Sequence, residues 1–117
     1  MEWIFIAAIV GFIAWRMMGS KNVPSINTQD LKNVLQDNSK QFIDVRTPAE
    51  YKGRHIKQFK NMPLNTLPNQ LGKLDREKET IVICQSGMRS SRACQILKQA
   101  GFTNVTNVRG GMSQWNG

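Results

Sequence analysis

From residue 27 onward, short runs of β-branched and aromatic residues alternate with stretches whose apolar positions recur every three or four residues. The first such stretch sets Leu31, Val34 and Leu35 on one helical face, with Asn27 or Thr28 able to cap it and Asn38-Ser39 ending it. Gln41 to Val45 then reads as a strand. Thr47-Pro48-Ala49-Glu50 has the form of a capping box, with proline where its missing N–H does no harm, so a helical turn is expected there. A turn at Gly53 and a short strand at Lys60 to Met62, stopped by Pro63, follow. Leu64, Leu67, Leu71 and Leu74 recur at helical spacing, with Pro68 tolerable only near the helix start. Thr80 to Cys84 is the most apolar strand, and Ser90 to Ala100 is a helix turning Ala93, Ile96, Leu97 and Ala100 inward, with Gly101 as its stop. Asn104 to Val108 is the last strand, and Gly110-Gly111 leads into a closing turn with Met112 and Trp115. Strands alternating with helices predict an α/β fold, a mostly parallel sheet with helices on both faces, whose ligands sit beyond the carboxyl ends of the strands.

The N-terminus has a different pattern. Trp3 to Trp15 carries no charge, and Met17 and Met18 extend the apolar run past Arg16. As a helix, residues 3–18 would be about 24 Å long, somewhat short of the usual span of about 20 residues. Arg16 can snorkel toward headgroups, and Trp3 and Trp15 are the residue type that settles at the interface. Glu2 stands where a cleaved signal would carry a cation, and no small-residue cleavage site follows. The reading is a transmembrane anchor at 1–18, a linker at 19–26 and one domain at 27–117, with an interfacial or partner-packing helix as the alternative for the first segment. Arg16, Lys21 and Lys32 follow the segment, which by the positive-inside tendency makes this a single-pass membrane protein whose domain faces the cytoplasm.

The 117 residues leave room for one globular domain, and 16 Lys and Arg against 8 Asp and Glu give a formal charge of +8, favouring anionic partners. No recognition helix or aromatic platform accompanies that charge, so nucleic acid is not the expected partner. Cys84, Cys94 and one histidine provide neither a metal-ligand set nor a disulfide framework, and no cofactor is expected. The basic stretch Lys52 to Lys60 reads as a solvated loop, with docking of an acidic partner protein or of anionic lipid near the anchor as the alternative.

The chemistry concentrates in Cys84-Gln85-Ser86-Gly87-Met88-Arg89-Ser90-Ser91. A loop wound tightly from a strand end into a helix start turns successive N–H groups toward its centre, and the helix adds unsatisfied donors and the positive end of its dipole. A thiol there loses its proton more readily than free cysteine, and the thiolate is the nucleophile. Gly87 supplies backbone freedom, Ser86 and Ser90 supply hydroxyls, and Arg89 supplies a fork of donors suited to an oxyanion. Alone, Cys84 would be read as a packed core thiol, whereas this company makes it a catalytic candidate.

This loop resembles the active-site loop of the rhodanese family of sulfurtransferases. Asp44-Val45-Arg46 followed by Glu50-Tyr51, Gly53 and His55-Ile56, then Asn61-Met62-Pro63-Leu64, and finally the Arg109 to Trp115 segment, resemble further signatures of the family in its order. Arg54 is inserted between Gly53 and His55, and Gln58-Phe59 replaces the family's usual Gly-Ala. The resemblance implies a Cys84 persulfide that takes sulfur from thiosulfate or another persulfide donor and passes it to cyanide or a thiol acceptor. Gln85, Ser86, Gly87, Met88, Arg89 and Ser90 would bind the substrate through their amides and, at Arg89, through its guanidinium. Arg46 and Glu50 would form a structural ion pair, with Asp44 beside it. Four residues separate Cys84 from Arg89, whereas the related phosphatases and arsenate reductases have five and a wider cradle. A catalytically silent binding module at the membrane is the other alternative. His55 is expected to pack or hydrogen-bond, and Cys94 to be a buried core thiol.

Overall fold

Phe42, Ile43, Ile81, Val82, Ile83, Val105 and Val108 are all buried, and they come from neighbouring strands of a single parallel sheet. The computed structural model describes residues 23–116. The expected anchor at 1–18 therefore lies outside the described residues, among which no helix is long and apolar enough to cross a membrane. The strands are β1 (Ser25–Ile26), β2 (Lys40–Asp44), β3 (Lys60–Asn61), β4 (Glu79–Ile83) and β5 (Val105–Val108), in the order β1-β5-β4-β2-β3. All neighbours run parallel, with β2 and β4 in register from Lys40 opposite Glu79 to Asp44 opposite Ile83.

The central strand is buried on both sides, which is why it reads as an unbroken apolar run. Successive residues of β4 feed opposite faces. Val82, and Cys84 just beyond the strand, pack with Ile43, Val45 and Leu97, whereas Ile81 and Ile83 pack with Leu31, Phe59 and Trp115. Helix α3 (Met88–Gln99) covers the first face through Ala93, Cys94 and Leu97. Helix α1 (Thr28–Val34), capped by the Asn27 side chain on the Asp30 N–H, supplies Leu31 to the second. Helix α2 (Pro48–Gly53) starts with the expected capping box between Thr47 and Glu50.

Several expectations change. Ser25 and Ile26, assigned to the linker, form an edge strand, because Asn107 N–H donates to Pro24 O at 2.9 Å and Arg109 N–H donates to Ile26 O at 2.8 Å. Two residues carry no periodicity, so the pairing left no trace in the pattern. The leucine stretch forms two 3-10 turns, Leu67–Asn69 and Leu71–Lys73, instead of a helix. Pro68 has no N–H to give and Gly72 is a poor helix former, while the turns still bury Leu67 completely. Helix α3 begins at Met88, two residues before the expected Ser90.

The expected Arg46–Glu50 ion pair does not form. Arg46 pairs instead with Asp44, Nη2 to Oδ2 at 2.8 Å, and both side chains are buried. The same guanidinium donates to the carbonyl oxygens of Glu50 at 3.3 Å and Arg54 at 2.6 Å, so the end of β2 is pinned to the far end of α2. Arg54, the inserted residue, reaches in turn to Trp115 O at 2.6 Å. Removing one member of a buried pair leaves the other charge uncompensated. Asp44→Ala is expected to lose about 3–5 kcal/mol of stability in urea unfolding followed by tryptophan fluorescence. A loss below about 1 kcal/mol, the level of an exposed pair, would contradict this account.

Candidate functional site

Cys84 follows directly on β4, and the chain turns through Gln85, Ser86 and Gly87 before α3 begins. The turn depends on Gly87, whose φ of 104° lies in the left-handed region that L side chains rarely adopt. This conformation aims the Gly87 N–H at Cys84 Sγ, 3.0 Å away. The Ser90 hydroxyl, one turn into α3, lies 3.3 Å from the same sulfur.

Burial is the largest influence on the Cys84 thiol and pushes its pKa upward. The Ser90 hydroxyl, then the amides of Ser90, Gly87 and Ser86, together outweigh burial and leave the pKa below that of an ordinary cysteine. A site that buries a sulfur yet favours its charged form is built for a thiolate. Cys94 is the contrast within the same chain. Burial pushes its thiol up to about 12, as expected of a core thiol.

The back of the loop explains why its amides face inward. Cys84 O accepts from Met112 N–H at 2.9 Å, and Gln85 O accepts from Ser113 N–H at 3.0 Å. Because C=O and N–H lie on opposite sides of a trans peptide, holding the Gln85 carbonyl outward leaves the Ser86 N–H on the sulfur side. The approach is close enough to exclude a side chain at position 111, since a Cβ on Gly111 would collide with the Cys84 carbonyl and the Gln85 backbone.

Asn107 is the contributor that sequence reasoning missed. From β5 its Nδ2 donates to Gly87 O at 3.2 Å, and its Oδ1 is hydrogen-bonded by the Ser90 hydroxyl. The one available signal was an amide interrupting the strand Val105-Thr106-Asn107-Val108, a residue type depleted in strands. Ser90 has one proton and several acceptors in reach, namely Cys84 Sγ, Gly87 O and Asn107 Oδ1. Ionisation of the sulfur makes it the strongest of them.

Arg89 holds Glu50 in a two-pronged ion pair, Nη1 to Oε1 at 2.7 Å and Nη2 to Oε2 at 3.0 Å. This pairing, foremost among several causes, lowers the Glu50 carboxyl to about 2. The acid expected to pair with Arg46 is thus the partner of Arg89, and it links the capping box of α2 to the start of α3 beside the Cys84 loop. Gln85 also leans on this frame, its Oε1 lying 3.4 Å from Arg46 Nη1. Met88 stands 81% exposed at the first position of α3, and Ser86 is exposed beside it. His55 is engaged elsewhere, stacked on Tyr51 with ring centroids 4.0 Å apart and Nδ1 2.8 Å from Tyr51 O. Among the described residues no group of His, Cys, Asp and Glu is placed to hold a metal ion.

Residues 27–117 match the family model described as a rhodanese-like domain. The chain is 38% identical over 96 residues to a putative sulfurtransferase, YtwF, of Bacillus subtilis, covering 81% of this chain and 92% of that one. A sulfurtransferase of Allochromatium vinosum is 32% identical over 94 residues, covering 80% and 88%. Among solved structures, a rhodanese-like domain protein from Staphylococcus aureus superposes with a TM-score of 0.74 at 33% identity, over 80% of this chain and 92% of that one.

Alkylation of Cys84 by iodoacetamide follows the thiolate fraction, so its rate should rise with pH and level off with a midpoint below that of an ordinary exposed cysteine measured alongside. Ser90→Ala removes the foremost lowering contact and should move that midpoint upward. An unshifted midpoint in the variant would show that Ser90 does not stabilise the anion.

Proposed function

This chain belongs to the rhodanese-like domain family, and on that premise we propose that it is a sulfurtransferase working through a persulfide on Cys84. The observation that carries the reading is the buried sulfur with the Gly87 N–H and the Ser90 hydroxyl directed at it, at the N-terminal end of α3. In the first step the Cys84 thiolate attacks the outer sulfur of thiosulfate or of another sulfane donor. The S–S bond of the donor breaks, its electron pair leaves with sulfite or with a thiolate, and Cys84 keeps the outer sulfur as a persulfide anion. The donors that held the thiolate then hold the persulfide. In the second step a cyanide or thiolate acceptor attacks that outer sulfur, the Cys84–sulfur bond breaks, and its electron pair returns to Cys84. Charge is conserved in both steps, and none of them needs an outside oxidant or reductant. Double displacement of this kind runs with ping-pong kinetics.

Loop size supports sulfur over phosphorus as the atom transferred. Four residues between Cys84 and Arg89 form a narrow cradle, and the Arg89 fork is already occupied by Glu50 rather than open to a tetrahedral anion. The intact thiolate-stabilising contacts likewise argue against a silent binding module, which has no use for them. We place the domain at the cytoplasmic face of a membrane on the sequence alone, from the apolar run at 1–18 and the cations Arg16, Lys21 and Lys32 that follow it.

Incubation of the purified protein with thiosulfate should add one sulfur atom to Cys84, read by mass spectrometry and released by cyanide. Cys84→Ser should abolish both, and retained sulfur transfer in that variant would end the assignment. For the anchor the check is fractionation, in which full-length protein should stay with membranes through a carbonate wash, and release by carbonate would rule it out.

A further inference from the structure

Three segments cover the sheet face that carries Ile81 and Ile83: α1, the connection from α2 to β3, and the closing turn. They bring Leu31, then Ile56 and Phe59, then Met112 and Trp115 into one core cluster. On their outer side they carry cations. Lys32 of α1 sets its Nζ 5.5 Å from the centre of the Trp115 ring, and Arg54 of the connection donates from Nη2 to Trp115 O at 2.6 Å. Lys52, in the last turn of α2, and Lys57, on the connection, complete the set, and all four are exposed.

The connection is held in place. Ile56 and Phe59 are buried, the Tyr51 hydroxyl donates to Phe59 O at 2.6 Å, and Arg46 donates to Arg54 O. Its backbone is set in advance, so binding an anion there orders little more than side chains. Nor is the charge neutralised from within. No acid occurs between Glu50 and Asp75, and Glu50 is held by Arg89. Among the described residues Lys32, Lys52 and Lys57 have no acidic partner, and Asp30 of α1 is the one exposed carboxylate on the three segments.

Place in the chain selects the occupant. Ser25 opens β1 and Thr28 opens α1, directly after the segment that carries the apolar run ending at Met18. The residues between Met18 and Ser25 span at most about 20–25 Å when extended, and five strands are about 19 Å across. A tether comparable to the width of the sheet keeps this face within reach of the headgroups of any bilayer that holds the run.

We propose that the surface of Lys32, Lys52, Arg54 and Lys57 docks on anionic lipid headgroups. The proposal goes beyond sulfur transfer, and it rests on the anchor reading for its choice of lipid over an acidic protein. Tethering raises the local concentration of headgroups, so a contact that is weak by itself suffices. Cys84 and α3 pack on the other face of the sheet, so docking leaves the Cys84 loop turned away from the bilayer.

The test is acylation of lysines by a water-soluble N-hydroxysuccinimide ester, read residue by residue by mass spectrometry, on the full chain in vesicles of phosphatidylcholine with or without phosphatidylglycerol. Anionic lipid should slow Lys32, Lys52 and Lys57 about fivefold, the scale of one cation's attraction to an anionic leaflet, and about 0.5 M salt should restore their rates. Lys73 and Lys98, on elements packed against the other face, should keep theirs. Lys52→Glu with Lys57→Glu should abolish the slowing at Lys32 while thiosulfate still loads Cys84, and Lys52→Arg with Lys57→Arg should preserve it. Equal rates in the two kinds of vesicle would overturn the proposal, as would equal slowing at Lys73 and Lys98 or full slowing at Lys32 in the glutamate variant. Slowing by soluble polyglutamate without slowing by anionic vesicles would assign the surface to an acidic protein and overturn the lipid. Release of the chain from neutral vesicles by carbonate would fail the anchor and the choice of lipid with it, whereas a chain that stays bound with equal rates fails the docking alone.

Discussion

A thiolate buried away from water is unfavourable unless hydrogen-bond donors replace its hydration, and the surroundings of Cys84 are arranged to meet that demand. The donors are local: the Gly87 N–H, the Ser90 hydroxyl and neighbouring amides at the start of α3. Their orientation is not local. It depends on the closing segment, whose Met112 and Ser113 amides hold the Cys84 and Gln85 carbonyls outward, and on Asn107, which secures Gly87 from β5. A loop of this length could fold its peptides either way. Contacts from residues twenty or more positions downstream select the inward arrangement.

The second support comes from the other side of the loop. Asp44 and Arg46 close the end of β2 as a buried pair, Arg46 fixes the carbonyls of α2, and Glu50 within α2 grips Arg89. These contacts form a relay of charge-assisted hydrogen bonds from the carboxyl end of β2 to α3. Each charge that is drawn inward meets an opposite one, and no buried side-chain polar atom among the described residues is left without a partner. The arrangement also sorts the two arginines of α3. Arg89 is held by the frame, while Arg92, one turn on, is exposed to solvent.

Much of the architecture was legible in the pattern. The unbroken apolar run at Thr80 to Cys84, the capping box at Thr47 and the helical spacing of Ala93 and Leu97 led to the observed order of strands and helices, because each is set by neighbours within a few residues. The misses have a common cause. β1 exists only by pairing with β5, the leucine stretch is shaped by Pro68 and Gly72 against the core rather than by its spacing, and Glu50 meets Arg89, 39 positions along the chain, instead of Arg46.

By itself, then, the sequence determined the candidate cysteine and its setting: a thiol at a strand end, a glycine that permits the turn, a hydroxyl one helical turn on, and four residues before an arginine. Those features are carried by short-range geometry, which a linear chain displays directly. Only the tertiary structure decided that Glu50 neutralises Arg89 and which amide from a distant strand secures the loop. Those outcomes depend on distances between segments far apart in the chain, and opposite charges pair according to what the fold brings together.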